Sequence, residues 1–300
     1  MNHVKNKKIG FIGLGSMGKA MAANLIKERF SLTVYDLREE PLIEMEGLGA
    51  KVAKNFKEVG QKSDVVIVMV LNYPQIKQVI FPPEGILSGM QSGSTLIIMS
   101  TISPLEIKEV DKVAQQYGVS IIDSPVSGGQ ERAIDGSLVL MVGAEEQVLN
   151  NNKNILEAMG QHIYYTGGVG NGQTVKMINQ LLVGAHQVAA AEALIMAKKL
   201  GVDLELVHEV ICNSAGDSAV WRQFGLRMIA RDFDPRGSVN TMIKDSRSVV
   251  ETAIKLGVPT YVSSIPYQIF RLAESRGLGS KDVASIITIF EEYAEIKMCD

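Results

Sequence analysis

The glycine pattern GLGSMG at residues 13–18 constrains the fold more than any other feature of the sequence. An apolar run, KIGFI, precedes it, and the helical pattern MGKAMAANLIKER follows from residue 17. In a strand, turn and helix of this kind, the first glycine permits the tight turn, the second lets the backbone approach a pyrophosphate, and the third allows close packing. Backbone N–H groups at the helix start then bind the anion. We therefore predict a dinucleotide site formed by Gly13, Leu14, Gly15, Ser16, Met17 and Gly18.

An acidic residue follows at the spacing that this kind of site requires. The second predicted strand, SLTVYD, ends at Asp36, 18 residues after Gly18. A carboxylate there accepts hydrogen bonds from the ribose 2′-hydroxyl and repels a 2′-phosphate, so NAD is favoured over NADP. Arg38 keeps NADP open, because a nearby arginine can accommodate the phosphate.

Alternation of short apolar runs with helical patterns predicts the fold class. Up to residue 168 the alternation is typical of a doubly wound parallel sheet. After that point the pattern is helical throughout, beginning with a helix from about 172 to 200 that is long enough to run between two domains. We predict an α/β Rossmann domain at 1–168 and an all-α substrate and oligomerisation domain at 169–300. Further predicted strands cover 94–99, 119–124, 137–143 and 162–167, and further predicted helices cover 103–117, 145–159, 203–213, 218–231, 238–256, 260–275 and 280–296, with Ser103, Asp203 and Ser280 at N-terminal ends.

The ends of two strands complete the predicted cofactor site. In a doubly wound sheet the ligand lies beyond the carboxyl ends of the strands. The residues after VVIVMV and STLIIM are therefore expected on the nicotinamide side, although ordinary polar loops would look the same. These residues are Leu71, Asn72, Ser100 and Thr101.

Composition and charge exclude several classes of partner. A net charge of -3 gives no basic field for nucleic acid or an anionic membrane. Polar residues interrupt every apolar run before the roughly 18 residues of a membrane span. Cys212 and Cys299 lack metal-ligand spacing and the four histidines do not cluster, so we expect no metal site and a reducing, cytoplasmic location.

Five motifs in order resemble the 3-hydroxyisobutyrate dehydrogenase family of β-hydroxyacid dehydrogenases, over essentially the whole chain. The resemblance implies hydride transfer between NAD(P) and a small hydroxy acid, by an enzyme that forms dimers or tetramers. Alanine and methionine on the long helix also favour subunit burial. The motifs are GFIGLGSMGKAMAANL at 10–25, STI at 100–102, DSPVSGG at 123–129, GxxxKMINQ at 172–180 and KD at 244–245.

Lys176 is the predicted catalytic base. Oxidation of an alcohol needs a group that takes the hydroxyl proton, and no histidine is placed for it. Near a helix N-terminus, and beside a positive nicotinamide, an ammonium is disfavoured, which favours the neutral amine that a base requires. A lone helical lysine is otherwise most often solvated, and the resemblance assigns this one to catalysis. Asn179 and Gln180 share its helix stripe, and the resemblance implies that Asn179 holds the substrate.

Two further groups take their roles mainly from the resemblance. Ser127, Gly128 and Gly129 follow a strand, and their backbone N–H groups can bind a substrate carboxylate, although a plain Gly-Gly turn has the same pattern. Lys244 matches a family lysine that reaches the cofactor, whereas by itself the pair with Asp245 is typical of solvated charges. Ser246 stands where the family usually has leucine.

Within the family, three segments are similar to the branch of L-threonate dehydrogenases: 179–194, 213–221 and 238–245. This implies oxidation of a four-carbon sugar acid, such as L-threonate, to its 2-oxo acid. Asn179 stands where that branch often has histidine. Alternatives are a 3-hydroxyisobutyrate dehydrogenase, a 2-hydroxy-3-oxopropionate (tartronate semialdehyde) reductase, and a cofactor-binding interaction module without catalysis. The presence of Lys176 argues against the last.

Overall fold

The structure is a computed structural model that describes residues 7–81 and 83–298. The chain divides into two compact units, the first ending at Lys176 and the second beginning at Met177. The boundary predicted at 168 lies just after the last strand, whereas the observed division falls inside the helix that follows. His3 and Cys299 lie outside the described residues.

The first unit is built on one sheet. Its strands, among the described residues, are β1 (Lys8–Ile12), β2 (Ser31–Tyr35), β3 (Lys51–Val52), β4 (Val65–Val68), β5 (Thr95–Ile98), β6 (Ser120–Asp123), β7 (Val126–Ser127), β8 (Leu138–Gly143) and β9 (Gly160–Gly167). Their order is β3-β2-β1-β4-β5-β6-β8-β7, and β9 pairs with β8. Strands β1 to β6 pair in parallel, as the alternating pattern predicts. Strand β8 runs antiparallel to β6 and β7, so this end of the sheet departs from the predicted all-parallel arrangement.

Helices cover both faces of this sheet, so its central strands are buried on both sides. Val65 and Ile67 of β4 belong to one apolar cluster, and Val66 and Val68 belong to the other. The helices of this unit are α1 (Ser16–Lys27), α2 (Glu39–Gly47), α3 (Phe56–Gln61), α4 (Tyr73–Ile80), α5 (Pro104–Gln116), α6 (Gly129–Asp135) and α7 (Glu146–Glu157). Ser103 caps α5 and forms a capping box with Glu106, which confirms the predicted start.

A 29-residue helix, α8 (Asn171–Lys199), leads from the first unit into the second. The second unit is helical throughout its described part, with α9 (Leu204–Cys212), α10 (Leu226–Ile229), α11 (Val239–Leu256), α12 (Tyr261–Ser275) and α13 (Ile287–Ala294). Its core contains Leu194, Trp221 and Phe270. The sheet domain followed by a helical region agrees with the predicted fold class.

Two predicted helices of the second unit differ from the structure. The helix predicted at 218–231 contains a π-helical turn, Trp221–Gly225, where the His208 ring stacks on Trp221. The helix predicted from Ser280 begins instead as a short 3₁₀ turn, Val283–Ile286, capped by Asp282. Buried Asp282 also accepts hydrogen bonds from two backbone N–H groups and pairs with Arg227 at 2.8 Å, and these distant contacts select it over Ser280.

Helix α8 is the one helix in the described part of the chain that is long and apolar enough to span a membrane by length and composition alone. Half of its most apolar 18-residue window is buried inside the protein. The polar residues that interrupt the apolar runs of the sequence predict no membrane span, and this stays a prediction.

Candidate active site

The glycine-rich turn between β1 and α1 has the geometry that a dinucleotide requires. Gly13 has a φ of 93°, and a Cβ atom there would lie 2.3 Å from the carbonyl oxygen of Met69. A Cβ on Gly18 would lie 2.0 Å from the carbonyl oxygen of Gly13, so the third glycine allows the helix to pack on the turn. A Cβ on Gly15 would meet nothing within 4 Å. The turn therefore leaves open space before the N-terminus of α1, and the residues present fit a pyrophosphate there.

Asp36, directly after β2, is joined to this turn by a hydrogen bond. Its Oδ2 accepts the backbone N–H of Leu14 at 2.7 Å, and its Oδ1 accepts the N–H and the Nε of Arg38 at 2.9 and 3.0 Å. Burial raises the pKa of Asp36, but the hydrogen bonds from Arg38 and Leu14 outweigh it and hold that pKa below its usual value. The carboxylate is therefore ionised at neutral pH, as recognition of a ribose hydroxyl requires.

The loops after β4 and β5 lie at the carboxyl edge of the sheet, as predicted for Leu71, Asn72 and Thr101. The Asn72 side chain caps α4 by accepting the N–H of Gln75 at 3.0 Å, so this residue also has a structural role. The side chain of Leu71 is half exposed. Thr101 follows Ser100, whose buried hydroxyl accepts the N–H of Val70 at 2.9 Å.

Residues Ser127 to Gly129 lie between β7 and the short helix α6. Gly128 has a φ of 139° and Gly129 a φ of 71°, conformations that favour glycine. Gly128 is the N-cap of α6 and has no side chain to bind the N–H groups of the first turn. Gly129 is exposed and Ser127 is partly buried. No side chain caps the N–H groups of this first turn, and binding of a carboxylate by Ser127 to Gly129 stays a prediction.

Sequence reasoning did not assign a role to Asp123, which lies in the same segment at the end of β6. Its fully buried Oδ2 accepts the N–H groups of Gly170 and Gln173, both at 3.0 Å, at the start of α8. Burial raises the pKa of Asp123 to about 6, against the lowering by hydrogen bonds from Gln173, Gly170 and Gly172. The sequence signal for this residue was its position: an acid at the carboxyl end of a predicted strand and the first residue of the DSPVSGG motif.

Gln173 was also missed, although it lies three residues before Lys176. Its buried amide accepts the N–H of Ile102 through Oε1 and donates to the carbonyl of Ser100 through Nε2, both at 3.0 Å. Lys176 follows on the same helix and is 7% exposed. Gln173, Lys176 and Gln180 thus lie on a buried face of α8, whereas Asn179 is partly buried.

Within the second unit the structure brings together three predicted residues, Asn179, Gln180 and Lys244. Asn179 Nδ2 donates to Gln180 Oε1 at 3.0 Å, and Gln180 Nε2 donates to Oδ2 of Asp245 at 2.6 Å. Lys244 Nζ lies 2.8 Å from Oδ1 of Asp245. Asp245 is almost fully buried, so the Lys244–Asp245 pair differs from the solvated pair that the sequence alone suggests. Ser246, the departure from the family pattern, is buried beside it.

Among residues 7–81 and 83–298, no group of three or more histidine, cysteine or acidic side chains could hold a metal ion. Cys212 is a free thiol.

Two family models match most of the chain. The model for the NAD-binding domain of 6-phosphogluconate dehydrogenase matches residues 8–167. The model for the NAD-binding region of NADP-dependent 3-hydroxyisobutyrate dehydrogenase matches residues 170–290.

Characterised relatives and a solved structure extend the match to nearly full length. The chain is 34% identical to 2-(hydroxymethyl)glutarate dehydrogenase of Eubacterium barkeri over 98% of both chains. It is 32% identical to L-threonate dehydrogenase of Cupriavidus necator over 95% of this chain and 96% of that one. The crystal structure of a 3-hydroxyisobutyrate dehydrogenase from Salmonella typhimurium superposes with a TM-score of 0.87 at 31% identity, covering 95% of this chain and 100% of that one.

Proposed function

Because this chain belongs to the 3-hydroxyisobutyrate dehydrogenase family of NAD(P)-dependent hydroxyacid dehydrogenases, we propose that it oxidises a four-carbon sugar acid, such as L-threonate, to the 2-oxo acid. The relatives are oxidoreductases acting on CH–OH groups, and this chain has that coarser activity. The observation that carries the finer proposal is the near full-length similarity to an L-threonate dehydrogenase.

Each predicted residue has a defined task in this proposal. The N–H groups of Ser127 to Gly129 bind the substrate carboxylate, and Lys176 Nζ, as the neutral amine, takes the hydroxyl proton. Asn179 and Gln180 orient the substrate. A bound nicotinamide supplies the acceptor for the hydride that leaves the alcohol carbon. The glycine turn and Asp36 hold the dinucleotide, with contributions from Leu71, Asn72, Thr101 and Lys244.

NAD is the proposed cofactor. The ionised, turn-anchored carboxylate of Asp36 favours a ribose hydroxyl and disfavours a 2′-phosphate. Arg38 is already paired with that carboxylate, so it is not free to bind a phosphate without breaking the pair.

The substrate is tested by following NADH formation with L-threonate, erythronate, 3-hydroxyisobutyrate and glycerate. 2-Hydroxy-3-oxopropionate is tested in the reductive direction with NADH. We expect kcat/KM for L-threonate to exceed that for 3-hydroxyisobutyrate and for glycerate by about tenfold or more. Both acids have fewer hydroxyl groups than L-threonate, and one missing substrate hydroxyl can cost that much in a polar site. The proposal is rejected if neither L-threonate nor erythronate is oxidised.

2-(Hydroxymethyl)glutarate is a second candidate substrate, because the relative named for it shares 34% identity over 98% of both chains. It carries two carboxylates, whereas L-threonate carries one. A higher kcat/KM for this acid than for L-threonate would replace the proposed substrate and leave the dehydrogenase activity in place.

Substitution of Lys176 tests whether this protein is a catalyst or a cofactor-binding interaction module. We expect Lys176→Ala to lower kcat by about 10²-fold or more, the usual contribution of a general base, with NADH affinity within a factor of about three. Lys176→Arg retains a cation but cannot act as a base, and it should be equally inactive. Wild-type protein that binds NADH and oxidises no acid of the panel would favour the module.

The same proposal includes a cytoplasmic homo-oligomer, a dimer or tetramer, without membrane or nucleic-acid partners. Helix α12 carries large exposed apolar side chains at Tyr261, Val262 and Ile265, which favour burial against another subunit. Light scattering coupled to size exclusion gives the mass, and a monomer at micromolar concentration would contradict this part.

A further inference from the structure

Three segments with predicted roles in the first unit meet at the start of α8. The first is 100–102, which includes Thr101 on the nicotinamide side. The second is 123–129, which ends in the carboxylate-binding N–H groups. The third is 170–176, which carries Lys176. Asp123 joins the second segment to the third, and Gln173 joins the third to the first, through four hydrogen bonds of 3.0 Å each.

The backbone is closely packed at two glycines of this junction. A Cβ on Gly172 would lie 2.4 Å from the carbonyl oxygen of Met141 and 2.7 Å from that of Asp123. A Cβ on Gly143 would lie 2.6 Å from the carbonyl oxygen of Gly168. The backbone of the helix start is therefore held against β6 and β8 at van der Waals distance, and the hydrogen bonds of Asp123 act on a closely packed segment.

Asp123 differs from an ordinary helix cap in its burial. Asp203, the cap of α9, accepts the N–H of Leu206 at 2.7 Å and is exposed to solvent. Asp123 is fully buried, and its Oδ1 has no hydrogen-bond partner among the described residues. A carboxylate with one unsatisfied oxygen costs folding free energy. Helix capping alone can be met by an exposed residue, so the buried acid at this junction points to a role in placing the base.

We propose that Asp123 and Gln173 are positioning residues, which lock the first turn of α8 to the nicotinamide-side and carboxylate-side segments and so fix Lys176 for proton transfer. This inference rests on the proposed dehydrogenase function. Small displacements of a reacting group can cost up to about 10²-fold in rate, so loss of the lock acts on kcat more than on binding.

The test compares Asp123→Ala, Asp123→Asn and Gln173→Ala with wild type, using L-threonate and NAD. We expect Asp123→Ala and Gln173→Ala to lower kcat by about tenfold or more, while KM and NADH affinity stay within about threefold. Asp123→Asn keeps an oxygen that accepts the N–H groups and should retain most of kcat. Asp203→Ala, which removes a cap from a different helix, should lower thermal stability and leave kcat unchanged.

Amide hydrogen exchange over residues 170–176 provides a readout that needs no substrate. Exchange should be faster in Asp123→Ala than in wild type, and near the wild-type rate in Asp123→Asn. A kcat within twofold of wild type in Asp123→Ala, or unchanged exchange, would overturn the positioning role. So would KM and NADH affinity that worsen as much as kcat. If wild type oxidises no acid while exchange responds as expected, the proposed function is rejected. The conclusion that Asp123 holds the start of α8 in place would remain.

Discussion

The backbone N–H of Leu14, inside the glycine-rich turn, donates a 2.7 Å hydrogen bond to Oδ2 of Asp36, directly after β2. The same carboxylate pairs with Arg38 at 3.0 Å. The residue expected to select the cofactor is therefore also an anchor for the turn that binds it. A substitution at Asp36 must separate these two effects to be informative.

Asp36→Asn makes that separation, because it removes the negative charge and keeps an oxygen for the Leu14 N–H. We expect the kcat/KM ratio of NAD to NADP to fall by about tenfold or more, the value of a hydrogen bond to a charged group. Arg38→Ala is the matched control, since it frees the Asp36 carboxylate and removes the cation nearest to a 2′-phosphate. The kcat/KM ratio of NAD to NADP should rise in Arg38→Ala. Equal ratios in the two variants would show that this pair does not select the cofactor.

Alanine substitutions at Gly15 and Gly18 should affect different properties of the same turn, cofactor binding at Gly15 and stability at Gly18. Gly15 has a φ of -66°, which alanine adopts freely, and its Cβ would meet no protein atom within 4 Å. Gly15→Ala should therefore leave the melting temperature nearly unchanged and weaken NADH binding by about tenfold or more, because the methyl group enters the space of the pyrophosphate. Fluorescence titration with NADH measures the affinity.

Gly18→Ala is the companion variant. Its Cβ would lie 2.0 Å from the carbonyl oxygen of Gly13, so α1 would have to move away from β1. We expect a clear loss of thermal stability in the absence of cofactor, of about 1–3 kcal/mol for an overpacked site. A stable Gly18→Ala protein, or a Gly15→Ala protein with wild-type affinity, would contradict this division of roles.

Local patterns predicted most of the fold. The buried run before Met69 forms β4 within a doubly covered parallel sheet, and the Ser103–Glu106 spacing forms a capping box. Features set by distant contacts were not predictable. The strands Lys51–Val52 and Val126–Ser127 are too short to leave a periodic signal. The antiparallel direction of β8 is defined by its pairing with β6 and β7, which no local pattern shows.

The candidate site shows the same limit. Asp36 and the glycine turn are recognisable because their spacing along the chain carries the signal. Asp123 and Gln173 are joined by a hydrogen bond although 50 positions separate them in the sequence. Gln180 and Asp245 are joined likewise across 65 positions. Their motifs were visible in the sequence, but the burial and partners that define their roles exist only in the folded chain.

The Gln180–Asp245 hydrogen bond predicts a charge-dependent effect on the second unit. Gln180→Glu places a second carboxylate within hydrogen-bond distance of buried Asp245. We expect unfolding to become easier at pH 8 by about 1–3 kcal/mol, because the Gln180 donor is lost and a like charge is added beside a buried carboxylate. Stability should partly recover at pH 5, because a neighbouring like charge favours protonation of the introduced glutamate. Urea unfolding can be followed through Trp221, the only tryptophan in the sequence and a core residue of this unit.

Gln180→Leu is the control for that prediction. It removes the same hydrogen bond without adding charge, so its loss of stability should not depend on pH between 5 and 8. If Gln180→Glu and Gln180→Leu show the same pH dependence, the Asp245 carboxylate does not meet the new charge.

The raised pKa of Asp123 predicts that its contribution to the free energy of unfolding falls as the pH rises. Burial raises the pKa of Asp123 to about 6, whereas an aspartate in an unfolded chain has a pKa of about 3.9. Between these values the folded protein retains a proton that the unfolded chain has lost, so the contribution of Asp123 to stability falls as pH rises. It is fully present below about pH 4 and is lost as the pH rises through the folded pKa of about 6.

Asp123→Asn cannot titrate and should lack this slope. The difference in unfolding free energy between wild type and Asp123→Asn should therefore shift in favour of the variant from pH 4.5 to pH 7.5, since the neutral amide avoids the cost of a buried charge. Urea denaturation followed by circular dichroism, at the two pH values for both proteins, measures the difference and cancels the titration of all other groups. A difference that stays constant with pH would mean that Asp123 titrates alike in the folded and unfolded chains, and that its carboxylate is not held in an apolar environment at the start of α8.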